Sequence, residues 1–198
     1  MDTEGIKIAL LGNSGVGKTC IISRFYDNTF TNNTSSTISA NFVEKVITRG
    51  KDKYVLNIWD TAGQEKYQSL GRHFYKNAYI VLLVYDITNQ KSLDSIKKTW
   101  YPDLQVYGEK CLVTGIIGNK SDLYENEDLA DEEEARDFAK EIGAVFALVS
   151  AKNGSNVNQL FEDLLDRFLQ KDIQDKVKSE MGSNFKLEEE KQKKKKCC

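Results

Sequence analysis

The residues Gly12-Asn-Ser14-Gly15-Val16-Gly17-Lys18-Thr19 carry the first chemistry legible in the chain, because they fit the pattern G-x-x-x-x-G-K-[ST]. Glycines at these places let backbone N–H groups converge on phosphate oxygens, and a helix that opens directly afterwards adds its positive end. Lys18 supplies charge to the β- and γ-phosphates, and the Thr19 hydroxyl can ligate Mg²⁺. The loop follows the apolar run Ile6–Leu11 and precedes a helical segment, which is the context the mechanism needs. Gly12 and Ser14 through Cys20 are therefore the expected phosphate-binding set.

Such a loop indicates a nucleoside triphosphate without saying which one. Asn119-Lys120-Ser-Asp122, at the end of the apolar run Leu112–Gly118, selects the base. A carboxylate there can accept from both N1–H and the 2-amino group of guanine, an arrangement that adenine lacks. The wrong base would leave a buried group unpaired, so discrimination is strong. Ser150-Ala151-Lys152, after the next strand, completes the base pocket. Trp59-Asp60-Thr-Ala-Gly63-Gln64 ends another strand. Asp60 is placed to hold Mg²⁺ through a water, Gly63 to present its N–H to the γ-phosphate, and Gln64 to orient the attacking water.

These loops need strands to carry them. Apolar runs suited to buried strands lie at Ile6–Leu11, Tyr54–Trp59, Ile80–Tyr85, Leu112–Gly118 and Ala144–Val149. Asn41–Arg49 alternates like a half-exposed strand and, after a turn at Gly50, is expected to form a hairpin with Tyr54–Trp59. Helices are expected at Thr19–Tyr26, Gln90–Tyr107 (kinked or interrupted at Pro102) and Asp131–Ile142. A last helix carries the stripe Val157, Leu160, Phe161, Leu164, Leu165, Phe168 and Leu169. The expected fold is α/β, with a mostly parallel six-stranded sheet, one antiparallel edge and helices on both faces. The division is a domain over residues 1–170 and a flexible charged tail over 171–198.

Composition sets the boundaries of function. The 198 residues are 40% hydrophobic, which excludes a wholly disordered chain. No secretory signal or transmembrane run is read, so the cytosol is the expected compartment. From Lys171 onward nine lysines meet six acids, so a mildly acidic body with a net charge of −5 is joined to a basic end. That distribution argues against nucleic acid and for an anionic surface. Cys20 and Cys111 sit in apolar stretches, whereas Cys197 and Cys198 close the chain after a lysine run.

Together, Gly12–Thr19, Thr37, Asp60–Gln64, Asn119–Asp122 and Ser150–Lys152 resemble the Ras superfamily of small GTPases over residues 5–170. The resemblance implies that Phe30 packs against guanine and that Thr37 ligates Mg²⁺ and senses the γ-phosphate. Gln64, Lys18 and Thr37 become the implied catalytic set, and Thr19, Thr37 and Asp60 the metal set. Lys66-Tyr-Gln-Ser-Leu, Phe74-Tyr-Lys-Asn-Ala-Tyr and Leu83-Val-Tyr-Asp-Ile-Thr88 resemble the Rab family within it. Phe42, Trp59 and Phe74 then match the aromatic triad that Rab effectors read. Thr37-Ile-Ser-Ala-Asn-Phe42 resembles the early-endosomal branch, although Ser39 stands where a glycine is common, and Trp100-Tyr-Pro-Asp resembles the third helix of the Rho family.

The terminal Lys-Lys-Lys-Lys196-Cys197-Cys198 resembles a Rab prenylation end and lacks the C-a-a-X pattern. Two geranylgeranyl groups would give lasting anchorage where one is marginal. The resemblance further implies a monomer with an exchange factor, an activating protein, a dissociation inhibitor, a prenylation escort protein and effectors. It places the chain on the cytoplasmic face of intracellular membranes, endosomal ones first, with a cytosolic pool. An ATP-using kinase shares Gly12–Thr19 but leaves Asn119–Asp122 unexplained. A module that holds GTP without hydrolysing it leaves Gln64 unexplained.

Overall fold

The computed structural model describes residues 5–31, 41–61, 75–125 and 128–173. Six strands form one sheet: β1 (Ile6–Leu11), β2 (Asn41–Arg49), β3 (Asp52–Asp60), β4 (Ile80–Asp86), β5 (Val113–Asn119) and β6 (Val145–Leu148). Their spatial order is β2-β3-β1-β4-β5-β6. The β2–β3 pair is antiparallel and the other four pairings are parallel. The expected hairpin forms, with Arg49 opposite Asp52 across the turn.

Alternation along the inner strands divides the core. Ile8 and Leu10 of β1 point to one face, where they pack with helix α1 (Lys18–Asp27) and a helix α4 over 157–173. Ala9 and Leu11 point to the other, with helices α2 (residues 90–107) and α3 (Glu132–Glu141). All seven residues of β4 are buried, as required of a central parallel strand covered on both sides. Fully burying a large apolar side chain stabilises by roughly 1.5–3 kcal/mol. Phe161 of α4 stacks on Phe25 of α1 with centroids 3.8 Å apart, tying the last helix to the one that begins at the glycine loop.

Helix α3 (Glu132–Glu141) begins as its sequence requires, with the Asp131 carboxylate accepting from the Glu134 N–H at 2.9 Å. It stops at Gly143, whose φ is +65°. Helix α4 continues past the expected boundary at 170, and the Lys171 ammonium donates to the Leu112 carbonyl at 2.7 Å.

Helix α2 departs from an ordinary helix at the proline. It runs as α-helix over Gln90–Ser95, as a π turn over Ile96–Trp100, and again as α-helix over Tyr101–Tyr107. Pro102 offers no N–H and its ring crowds the carbonyl four residues back. The wider turn absorbs that conflict, and the Tyr101 N–H reaches the Ile96 carbonyl five residues earlier. No helix of the described residues is long and apolar enough to cross a membrane.

Candidate functional site

The loop Gly12–Gly17 leaves β1 and enters α1. Its shape depends on glycine at two close approaches. Gly12 has φ +142°, and a Cβ there would lie 2.2 Å from the Val84 carbonyl oxygen. Gly17 has φ +94°, and its Cβ would strike the Asn119 amide nitrogen at 2.3 Å. Gly17 caps α1 without a side chain, and the first turn carries no acidic residue that would repel a phosphate. The Lys18 ammonium is buried and donates to the carbonyls of Gly12 at 2.7 Å and Asn13 at 3.0 Å, which holds it against the loop.

Thr19 and Asp60 are 41 residues apart in sequence and meet directly, the threonine hydroxyl donating to Asp60 Oδ2 at 2.6 Å. Asp60 is 2% exposed. Its other oxygen, Oδ1, is buried with no hydrogen-bond partner among the described residues. Burial pushes the Asp60 carboxyl up, against the opposing pull of the Thr19 hydrogen bond and the Lys18 charge. A buried carboxylate oxygen left over beside a hydroxyl suits a hard divalent cation. Among the described residues no group of three or more His, Cys, Asp or Glu could hold a metal ion. Mg²⁺ does not need one, because it is bound through one or two carboxylates together with substrate phosphates.

The base side is built from the ends of β5 and β6. The Asn119 side chain braces both loops: its amide donates to the Val16 carbonyl at 2.8 Å and its oxygen accepts from the Ala151 N–H at 3.2 Å. The Asp122 carboxylate accepts from the Ser150 hydroxyl at 2.6 Å and pairs with the Lys152 ammonium at 3.4 Å. Burial pushes this carboxyl up, but the Ser150 bond and the Lys152 charge outweigh it, so the net shift is downward. Lys120 adopts a left-handed conformation, φ +70°, and its ammonium lies 2.5 Å from Asp86 Oδ2.

Two residues that the sequence reading did not assign to the site shape this pocket. Asp86, at the end of β4, fixes Lys120 with one oxygen and accepts from the Thr88 N–H and hydroxyl with the other. Arg24 reaches from α1 to the Ala151 carbonyl at 2.8 Å, the Lys152 carbonyl at 2.7 Å and the Asn28 carbonyl at 2.7 Å. Asp86 could have been sought as the acid at a strand end between two motifs. Arg24 offered no signal, since its targets in the pocket are backbone carbonyls up to 128 residues away.

The remaining expected residues divide. Phe42 and Trp59 face each other across β2–β3, with ring centroids 5.1 Å apart, and Phe42 is half exposed. The Lys7 ammonium lies 5.1 Å from the Trp59 ring, a neighbour the sequence did not suggest, and burial lowers its affinity for a proton. Phe30 is partly buried against the core. Thr37, Gly63, Gln64, Phe74, Cys197 and Cys198 lie outside the described residues.

The phosphate loop, the Thr19–Asp60 pair and the base loops thus share one end of the sheet, at the C-terminal edge of its parallel strands, the place where such sheets bind ligands. A Ras family profile matches residues 7–171. The chain belongs to the Ras family. It is accordingly a small GTPase, a hydrolase of GTP, and the family implies binding of GTP and GDP with Mg²⁺. Similar proteins include the Ras-related protein Rab-31 of Mus musculus, 38% identical over 164 residues that make up 83% of each chain. The Ras-related protein Rab-22A of Mus musculus is 35% identical over 198 residues, the whole of both chains. The GTP-binding protein YPTM2 of Zea mays is 38% identical over 155 residues, 78% of this chain and 75% of its own.

Proposed function

We propose that this GTPase is a Rab-type membrane switch of the endocytic pathway, whose output is effector binding rather than product. The observation that carries the site assignment is the buried Asp60 carboxylate, bonded to Thr19 through one oxygen and left, among the described residues, with an unused second oxygen beside the glycine loop. In this reading the loop N–H groups and Lys18 hold the phosphates. Thr19, Thr37 and Asp60 serve Mg²⁺, which when bound neutralises charge on the β- and γ-phosphate oxygens. Asp122, Asn119 and the Ser150–Lys152 loop hold guanine.

Hydrolysis belongs to the same reading. Gln64 orients a water for in-line attack on the γ-phosphorus, and Lys18 with the loop N–H groups stabilises the transferring group. No arginine finger is assigned in cis, so an activating protein would raise the rate, on the order of 10³–10⁵-fold. Thr37 and Gly63 hold the two switch segments on the γ-phosphate, and loss of that phosphate releases them. Phe42, Trp59 and Phe74 form the surface that effectors read.

Anchorage rests on the chain end beyond helix α4, with its lysine run and Cys197-Cys198, which suits double geranylgeranylation. An exchange factor, an escort protein and a dissociation inhibitor complete the cycle. The similarity to two Ras-related Rab proteins supports the Rab reading, and the resemblance of Thr37–Phe42 to the early-endosomal branch favours the endosomal membrane as its address. An N-terminally tagged protein should mark endosomes, Gln64→Leu should intensify that label, and Cys197/Cys198→Ser should turn it cytosolic. A serine form that stays on membranes would refute the lipid anchor, and a label on another organelle would refute the branch.

A further inference from the structure

The Trp100-Tyr-Pro-Asp segment has no part in the nucleotide site described so far, yet it reaches the glycine loop. The Trp100 indole N–H donates to Asn13 Oδ1 at 2.8 Å, and the Asn13 amide nitrogen donates to the Ser95 hydroxyl at 2.9 Å. The Ser95 hydroxyl in turn donates to the Lys91 carbonyl at 2.8 Å. An indole nitrogen can only donate, so it fixes which end of the carboxamide faces it, and every polar group in the chain is matched. Trp100 is 4% exposed and Asn13 sits between Gly12 and Ser14 of the phosphate loop.

The π turn makes this grip possible. Ser95 and Trp100 are five residues apart, and on an ordinary α-helix such residues point about 140° away from each other. A π turn hydrogen-bonds each residue to the fifth before it and turns through a smaller angle per residue, which brings the two nearer to one side. Both then close on a single carboxamide, one at each end. The π turn that accommodates Pro102 thereby sets the direction of Trp100.

We propose that Trp100 is a positioning residue for the phosphate loop, holding the loop in its nucleotide-binding shape through the Asn13 carboxamide. This rests on the reading of Gly12–Thr19 as the phosphate site. Asn13 O accepts from Lys18 while its side chain is held by α2, so the Asn13 backbone and the ammonium are fixed together. Removing the indole N–H does not release the helix. Leu93, Ile96 and Leu104 remain buried, and Asp103 accepts a hydrogen bond from the Tyr75 hydroxyl.

The test uses the full chain loaded with fluorescently labelled GDP at fixed Mg²⁺, in wild type, Trp100→Phe, Asn13→Ala and the double variant. Each single change should speed release about 3–10-fold, the worth of one net hydrogen bond. The double variant should release no faster than the quicker single one, because both remove the same link. The two tryptophans give two indole resonances, and that of Trp100 should lose its hydrogen-exchange protection in Asn13→Ala. Leu104→Ala loosens the same helix without touching the loop. If it speeds release as much at an equal fall in Tm, Trp100 is only structural and the proposal is overturned. Multiplicative single effects, wild-type release rates or an unaltered indole proton would overturn it too. Wild type that bound no labelled GDP would instead remove the phosphate-site reading beneath it.

Discussion

The base end and the phosphate end of the site are assembled differently. Around Asp122 the polar groups are already satisfied by the protein: Ser150 and Lys152 hold the carboxylate, Asp86 holds Lys120, and Arg24 clamps the carbonyls of Ala151 and Lys152. Around Asp60 a buried carboxylate oxygen has no partner among the described residues. A pocket built from internal bonds keeps its shape whatever occupies it, so it suits the part of the ligand that GTP and GDP share. A centre that needs a cation to complete it suits the part that changes. Preorganisation at the base gives selectivity, and incompleteness at the phosphates gives the switch.

Changes at each end should separate those roles. The largest effect is expected from Asp122→Asn, which should lower guanine nucleotide affinity on the order of 10³-fold and turn preference toward xanthine, whose 2-carbonyl can accept from the new amide. Competition between GDP and XDP measures it, and retained guanine selectivity would detach Asp122 from the base. Gln64→Leu should slow single-turnover hydrolysis about 10²-fold with GTP affinity kept. An unchanged rate would remove Gln64 from the chemistry.

Thr19→Asn is expected to weaken Mg²⁺·GTP relative to GDP by about 10–100-fold, the range for disturbing a metal's immediate support. Equal loss for both nucleotides in a titration with Mg²⁺ held constant would contradict the ligand role. Arg24→Met should raise the release rate of GDP and GTP alike, by about 10-fold, since it frees the base loop and leaves the phosphates untouched. Arg24→Lys should rescue only part, because an ammonium cannot reproduce the fork of the guanidinium. A GTP-specific effect would erase the contrast between the two ends.

Much of the fold is visible in the sequence because its periods are strong. Ile6–Leu11 and Asn41–Arg49 coincide with β1 and β2, and the other strands differ from expectation by one or two residues at their ends. Asp131 and Gly143 bracket α3 through local capping, which depends on neighbours in sequence. The conflict at Pro102 was also foreseeable, but its form was not. A kink, a break and a π turn all accommodate the missing N–H, and packing against the sheet decides among them.

The sequence alone determined which loops carry chemistry, since each motif needs particular residue types at short spacing: glycines before Lys18-Thr19, and a carboxylate three residues after Asn119. Tertiary structure alone decided how those loops are held to one another. Arg24 meets Ala151 across 127 residues, Asn119 meets Val16 across 103, and Trp100 meets Asn13 across 87. Two of these three bonds end on backbone carbonyls, which every residue offers, so no pattern of side chains marks them. Only the sheet order, by bringing β1, β4 and β5 side by side, sets the loops close enough for such bonds to form.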